Sequence, residues 1–244
     1  MEYIGIIWDI VKSTPKVFGS IRDWWSFKRP TSKVLGRIID EKIEVKIFVK
    51  DFIVPDNTNS SPKLSSQEGP TTQLHPNIEK VWAEAEARGV AELLNLLGDM
   101  GKRINLEIVE MSSGYDIWNK DMIVLGAQAM KCMDFYEVME NVAYSVDERN
   151  IYDKESGKVI QRENGYGYGL ILKAKNPQLG NGIGFLLGGY GVLGTQAAIY
   201  YFTKNVANLG KLFGDKYFGV IVRAKVSAGK QSASRLTKYD KVFN

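Results

Sequence analysis

Residues 182–213 read GIGFLLGGYGVLGTQAAIYYFTKNVANLGKLF and decide the fold class of the chain. The run from Ile183 to Leu187 has the length and the glycine boundaries of a buried parallel strand. Apolar side chains then recur with helical spacing, at Ala197, Ala198, Tyr201, Phe202, Val206, Leu209, Leu212 and Phe213. The stretch therefore predicts a strand, a glycine turn and a helix, which is the repeating unit of α/β domains.

The turn between these two elements has the pattern G-x-G-x-x-G, formed by Gly189, Gly191 and Gly194. In this setting the glycines permit a tight turn, close approach of a phosphate to the backbone, and close helix–strand packing. The free amides and the dipole at the helix N-terminus favour an anion there. Gly188 and the hydroxyl of Thr195 complete the predicted phosphate-binding loop. The alternative is a purely structural turn, because glycine also serves strand-to-helix turns that bind nothing.

Three residues from other strands are predicted to contribute to the same ligand site. Asp51 ends the first clear strand, where open α/β sheets place ligand-binding residues. Gln128 lies in the small turn after the strand Asp121–Leu125. Arg223 lies near the end of the last apolar strand, where an arginine of a dinucleotide fold accommodates a 2′-phosphate. The same strand contains no acidic residue, so a nucleotide or a phosphorylated dinucleotide is favoured over plain NAD, while the identity of any cofactor is unknown.

The segment Leu187–Thr195, which follows an apolar strand, resembles the P-G-G-x-G-T-x-x-E loop of certain Rossmann-like nucleotide-binding domains. These are the cytokinin-activating phosphoribohydrolases and the related SLOG sensor domains. The resemblance implies a Rossmann-like fold whose glycine turn holds a nucleotide phosphate. In active members of the family the glutamate serves N-glycosidic cleavage. This chain has Leu187 at the proline position and Ala198 where the glutamate would fall, so catalytic residues are unknown and turnover stays open.

Strand and helix signals alternate from residue 44 to residue 244, and most of the strands are apolar enough to be buried. The sequence therefore predicts an α/β domain over 44–244, a Rossmann-like three-layer sandwich with a mostly parallel sheet and antiparallel additions from 151–182. The strongest helix is predicted over 77–101. The polar, proline-rich stretch 52–76 is typical of a lid, a binding loop or a mobile segment.

Residues 1–43 are predicted to form an amphipathic helical arm followed by a linker over 28–43, with room in the linker for one helical turn. Three tryptophans lie on the two apolar stripes of residues 3–27: Trp8, Trp24 and Trp25. Because a large exposed apolar patch marks an interface, the arm is expected to dock on its own domain. A second copy of the chain, a protein partner and peripheral contact with a membrane are the alternatives.

Composition limits the chemistry that the chain can perform. A single cysteine (Cys132) and a single histidine (His75) exclude an intramolecular disulfide and a Cys/His zinc site, and no metal ligands are predicted. The lone cysteine and the absence of a long apolar run favour a cytoplasmic protein, at most peripheral to a membrane. After residue 202, nine Lys and Arg residues oppose two Asp residues. Such a basic end can attract an anionic ligand or a membrane surface, with nucleic acid the less favoured partner, and the alternative is an ordinary solvated helix face.

These observations predict a protein that binds or senses a nucleotide-like small molecule through its Gly-rich loop. One alternative is an enzyme, a nucleotide N-glycosidase or a related hydrolase that acts at the same loop. The other alternative is an interaction module that contacts protein or membrane through its N-terminal arm and binds no small ligand.

Overall fold

A computed structural model describes residues 21–49, 51–54, 79–82, 84–110, 119–126, 130–146 and 150–244. The described elements are, in chain order, α1 (Ile21–Leu35), β1 (Val45–Val49), β2 (Asp51–Val54), β3 (Glu79–Trp82), α2 (Glu84–Asp99), β4 (Leu106–Glu110), β5 (Asp121–Leu125), α3 (Met130–Val138), β6 (Tyr144–Val146), β7 (Ile151–Asp153), β8 (Tyr166–Asn176), β9 (Gly182–Gly189), α4 (Gly191–Phe213), β10 (Tyr217–Lys225), β11 (Ser234–Arg235) and β12 (Lys241–Phe243). Strands and helices alternate over much of this order, as the apolar periodicity of the sequence predicts.

The centre of the fold is an eight-stranded mixed sheet with the order β11-β10-β8-β9-β5-β1-β4, in which β12 also pairs with β10. Parallel pairing joins β4 to β1, β1 to β5 and β5 to β9. β8 is antiparallel to both β9 and β10, so β10 runs in the same direction as β9. Five of the eight strands therefore point one way. The predicted α/β class with a mostly parallel sheet is confirmed, and the architecture is compatible with a Rossmann-like sandwich.

The two faces of the sheet carry separate apolar cores. On one face, here called the α4 face, α1, α2 and α4 pack on the strands, and Val34, Leu97 and Phe202 are fully buried. On the other, the α3 face, α3, the β6–β7 hairpin and the C-terminal residues close over Phe135 and Tyr144. There are two cores because the side chains of a strand alternate between its two faces. In β8, for example, Ile171 lies on the α4 face, and Leu170 and Leu172 lie on the α3 face.

The strand order reverses direction between β1 and β5. The chain passes from β1 through α2 to β4 on one side, and from β5 through α3 to β9 on the other. The two connecting helices lie on opposite faces of the sheet. Open α/β sheets bind ligands in the crevice outside the C-terminal ends of the strands at such a point. The C-terminal ends of β1, β5, β9 and β10 meet at this edge, which is called the C-terminal edge below.

Two local predictions differ from the structure. The first part of the predicted linker over 28–43 is the end of α1, which runs through Pro30 and places Val34 and Leu35 in the core. The predicted start of the next helix at residue 77 is wrong, because Glu79–Trp82 is a strand paired with β2 and the helix begins at Glu84. In both places a tertiary contact decides the conformation of a stretch whose local pattern is ambiguous.

Part of the predicted arm and lid cannot be compared with the structure. Residues 1–20, the side chains of Trp24 and Trp25, and residues 55–78 lie outside the described residues. The described end of the arm belongs to α1. It packs so closely on α4 that a Cβ at Gly210 would lie 1.9 Å from the Pro30 carbonyl oxygen. Among the described helices, none is long and apolar enough to cross a membrane.

Candidate functional site

The predicted phosphate-binding turn lies at the C-terminal edge. Gly188 and Gly189 end β9, Tyr190 is the N-cap residue, and the 23-residue helix α4 begins at Gly191. Within these described residues, Tyr190 makes no capping hydrogen bond through its side chain, and the first turn of α4 contains no acidic residue. The first amides of a helix have no acceptor inside the helix, and the dipole makes that end positive. The start of α4 therefore favours an anion.

Packing or backbone conformation explains why glycine occupies each position of the motif. A Cβ at Gly189 would lie 2.4 Å, and one at Gly194 2.2 Å, from the carbonyl oxygen of Tyr168. These two glycines let α4 and β9 pack directly on the backbone of β8. Gly191 instead has a φ of +66°, and no described atom lies within 4 Å of its Cβ position. The space beside the Cα atom of Gly191 is therefore not filled by packing, unlike that beside Gly189 and Gly194.

Thr195 occupies a different environment from the one that the sequence predicts. Its exposure is only 5%, and Ala197 and Ala198 beside it are fully buried. The residue thus belongs to the packed side of α4, whereas Gly191 at the start of the helix is exposed. The backbone of the turn, more than a hydroxyl group, is the part of the loop that a ligand can reach.

Two arginines and three tyrosines lie beside the turn and are called the arginine–tyrosine cluster. Arg223 of β10 stands opposite Tyr168 of β8, and the Tyr190 N–H donates to the Tyr168 carbonyl at 2.8 Å. The three residues therefore form a row across neighbouring strands. The guanidinium carbon of Arg162 lies 3.8 Å from the Tyr190 ring centre, and that of Arg223 lies 4.6 Å from the Tyr166 ring centre. Both cations are stacked on aromatic faces.

Arg223 is held from several sides. Its Nη1 atom lies 2.6 Å from Glu163 Oε1, and the Tyr168 hydroxyl accepts a hydrogen bond from the Glu163 N–H at 2.9 Å. A hydrogen bond with Tyr168 and the negative charge of Glu163 raise the pKa of Arg223 above its ordinary value. These contacts, together with the stacking on Tyr166, hold the guanidinium group in one orientation.

The cluster and the start of α4 lie at one edge but on different faces of the sheet. Tyr168 and Ile221 belong to the core of the α3 face, and Arg223 follows Ile221 by two residues along β10. Because strand side chains alternate, Arg223 extends on the α3 face, while α4 packs on the opposite face. A ligand that contacts both must lie across the edge of the sheet.

Glu86 is a candidate site residue that the sequence analysis missed. It lies in the first turn of α2 with only 6% exposure, and a Cβ at Gly126 would lie 3.1 Å from Glu86 Oε1. Gly126 follows β5, so this carboxylate is buried beside the point where the strand order reverses. The position of Glu86 on the apolar stripe of the helix could have identified it from the sequence. Glu86 shares the helical spacing of Val90, Leu93 and Leu97, and a carboxylate on a buried stripe is costly.

Buried charges at the opposite, N-terminal edge have a structural role. Asp121 accepts the Ile183 N–H at 2.6 Å and lies 2.9 Å from Arg37 Nε, while burial raises the pKa of its carboxyl group. Lys173 is 1% exposed and donates to the Asp215 carbonyl at 2.7 Å. Burial lowers the pKa of this lysine to about 8. These groups hold connecting segments on the sheet and lie away from the C-terminal edge.

The predicted site residues lie in different places. The glycines Gly188, Gly189 and Gly191 form one turn, and Arg223 lies beside it on the other face. Gly194 and Thr195 are buried in the first turns of α4. Asp51 begins β2 immediately after β1, but its side chain and all of Gln128 lie outside the described residues. Neither models of known protein families nor curated proteins gave a match to the chain, so the interpretation of the site rests on its own geometry.

Proposed function

We propose that the protein binds a nucleotide-like small molecule and holds a phosphate group of it at the β9–α4 turn. The proposal rests on the start of α4, whose N-cap residue makes no side-chain capping hydrogen bond. The two arginines Arg162 and Arg223, each stacked on a tyrosine ring, lie beside this helix start. Helix N-termini favour anions, and the planar guanidinium group binds phosphate with two parallel hydrogen bonds. The two features supply positive potential and donors at the same edge.

The position of the turn in the sheet supports a ligand larger than a phosphate ion. β9 is the neighbour of β5, and β5 is the neighbour of β1. Adjacent strands are about 4.8 Å apart, so a molecule that spans roughly 10 Å reaches from the turn to the crevice beside β1. Glu86 lies beside Gly126 on that path. A carboxylate in this place suits the hydroxyl groups of a ribose, which acidic residues bind in dinucleotide folds.

The test compares two alanine substitutions at opposite ends of one helix. Gly191 begins α4 and Gly214 is its C-cap, with φ values of +66° and +64°. No described atom lies within 4 Å of either Cβ position. Alanine is strained at both sites, because side chains other than glycine rarely adopt a positive φ. Only Gly191→Ala places a methyl group where the phosphate would approach.

We expect AMP, ADP, NAD⁺ or NADP⁺ to raise the melting temperature of the wild type and of Gly214→Ala, and to leave that of Gly191→Ala unchanged. Both variants should melt below the wild type without nucleotide, and the nucleotide-induced change is compared within each variant. Chromatography of the same mixtures separates the two nucleotide hypotheses, since a cleaved nucleotide supports the N-glycosidase and an intact one supports a binding or sensing protein. If no nucleotide changes the melting temperature, the proposed function is wrong. Equal loss of the response in both variants would place binding away from the turn.

A further inference from the structure

The carboxylate of Glu163 forms an ion pair with the arginine–tyrosine cluster. Glu163 Oε1 lies 2.6 Å from Arg223 Nη1, so a carboxylate occupies one of the donor positions of the guanidinium group. The two side chains differ in their surroundings, because that of Glu163 is 63% exposed and that of Arg223 is 27% exposed. The ion pair therefore lies at the solvent boundary, with its carboxylate on the outer side.

The backbone that carries Glu163 is attached to the sheet at two points. The Glu163 N–H donates to the Tyr168 hydroxyl at 2.9 Å, and the Val226 N–H donates to the Gly165 carbonyl at 2.9 Å. Arg223 is fixed by its stacking on Tyr166. The carboxylate is thus the part of this arrangement that can leave by a side-chain rotation, without movement of the strand or of the guanidinium group.

The balance between a carboxylate and a phosphate at this position favours the phosphate. An exposed ion pair between carboxylate and guanidinium contributes little net free energy, because water solvates both groups well and salt screens them. A phosphate carries more negative charge and matches the fork of the guanidinium group with two parallel hydrogen bonds. A ligand phosphate therefore displaces an exposed carboxylate at little cost.

We propose that Glu163 is a built-in competitor, whose carboxylate holds the anion position of Arg223 in the free protein until a ligand phosphate replaces it. The inference rests on the proposed function and extends it to the class of ligand. Arg223 lies on the α3 face, and the start of α4 lies on the other face. A ligand that engages both needs two phosphate groups, as in a nucleoside diphosphate or a dinucleotide, and a nucleoside monophosphate fills only one position.

The experiment uses Glu163→Gln, which keeps the shape of the side chain and removes its charge. Glu155→Gln is the matched control, because Glu155 is also an exposed glutamate, with its Oε2 2.7 Å from Lys241 Nζ. Both substitutions raise the net charge by one, so they share any general electrostatic effect. Inorganic pyrophosphate is the probe, titrated into the full chain while the Nε–Hε signals of the arginines are followed by NMR. Arg223→Gln and the double variant Glu163→Gln/Arg223→Gln complete the cycle, with thermal melts as a check of folding.

We expect Glu163→Gln to bind pyrophosphate roughly two- to fivefold more tightly than the wild type, which corresponds to the removal of one exposed ion pair. Glu155→Gln should match the wild type, and the gain should disappear when Arg223 is also replaced. An affinity of Glu163→Gln equal to or below that of the wild type, or a gain that survives without Arg223, would overturn the inference.

Failure of the inference can be told apart from failure of the proposed function. If nucleotides bind in a manner sensitive to Gly191→Ala but Glu163→Gln brings no gain, Glu163 is not a competitor and the proposed function stands. If neither nucleotides nor pyrophosphate bind the wild type or Glu163→Gln, both proposals are wrong.

Discussion

The packing of α4 on β8 gives the sharpest stability prediction, which concerns Gly194→Ala. The new Cβ would lie 2.2 Å from the Tyr168 carbonyl oxygen and 3.0 Å from its carbonyl carbon. Non-bonded heavy atoms prefer separations of about 3.5 Å or more, so the helix has to move away from the strand by about 1 Å. The same carbonyl accepts the Tyr190 N–H at 2.8 Å, and that bond weakens when the turn shifts.

The expected cost follows from these contacts. Overpacking costs about 1–3 kcal/mol, and a weakened hydrogen bond adds about 1 kcal/mol. Replacement of a helical glycine by alanine offsets this by stabilising the helix by about 1 kcal/mol. Gly194→Ala should therefore lower the free energy of unfolding by about 1–3 kcal/mol, as measured by urea denaturation with linear extrapolation.

Gly98→Ala in α2 is the matched control for this measurement. Gly98 is also helical, and apart from its chain neighbours and the nearby backbone of its own helix no described atom lies within 4 Å of its Cβ position. It should gain about 0.5–1 kcal/mol, because alanine loses less backbone entropy on folding than glycine does. Opposite signs for the two variants are expected. A Gly194→Ala protein as stable as Gly98→Ala would refute the close packing of α4 on the Tyr168 carbonyl.

Two further predictions concern other parts of the core. Gly210→Ala should lower the free energy of unfolding by about 2–3 kcal/mol in the same assay, because its Cβ would lie 1.9 Å from the Pro30 carbonyl oxygen. Unchanged stability would contradict the packing of α1 on α4. Burial lowers the pKa of Lys173 from 10.5 to about 8, so the unfolded chain binds more protons between these pH values. Wild-type stability should therefore rise by up to about 3 kcal/mol across this window relative to Lys173→Met, and parallel pH profiles of the two proteins would show that the lysine is not desolvated.

Much of the local structure could be predicted from the sequence, because apolar periodicity reports which side of an element is buried. The strand over 183–187, the glycine turn, the following helix and the strand at 121–125 are present as predicted. The strand predicted from Val45 to Asp51 ends at Val49, and Asp51 begins β2. The conformation of Glu79–Trp82 could not be predicted in this way. Its strand exists because it pairs with β2, a partner separated from it by more than twenty residues.

The candidate site shows the same division. Local pattern identified Gly189, Gly191 and Gly194, whose roles depend on a turn between neighbouring elements. It could not show that Arg223 extends on the face opposite α4, or that Glu163 pairs with it, because these relations depend on the order and the register of β8, β9 and β10.

The sequence by itself determined the α/β class and the glycine turn, since both follow from residue types within one helix or strand and the next. Only the tertiary structure decided that a side chain at position 194 would clash with the carbonyl oxygen of Tyr168, so that glycine is required there. It also decided that the carboxylate of Glu86 is buried beside Gly126. The physical reason is that burial and close contact belong to pairs of groups brought together by the order of strands. Residues far apart in the chain carry no local pattern that encodes that order.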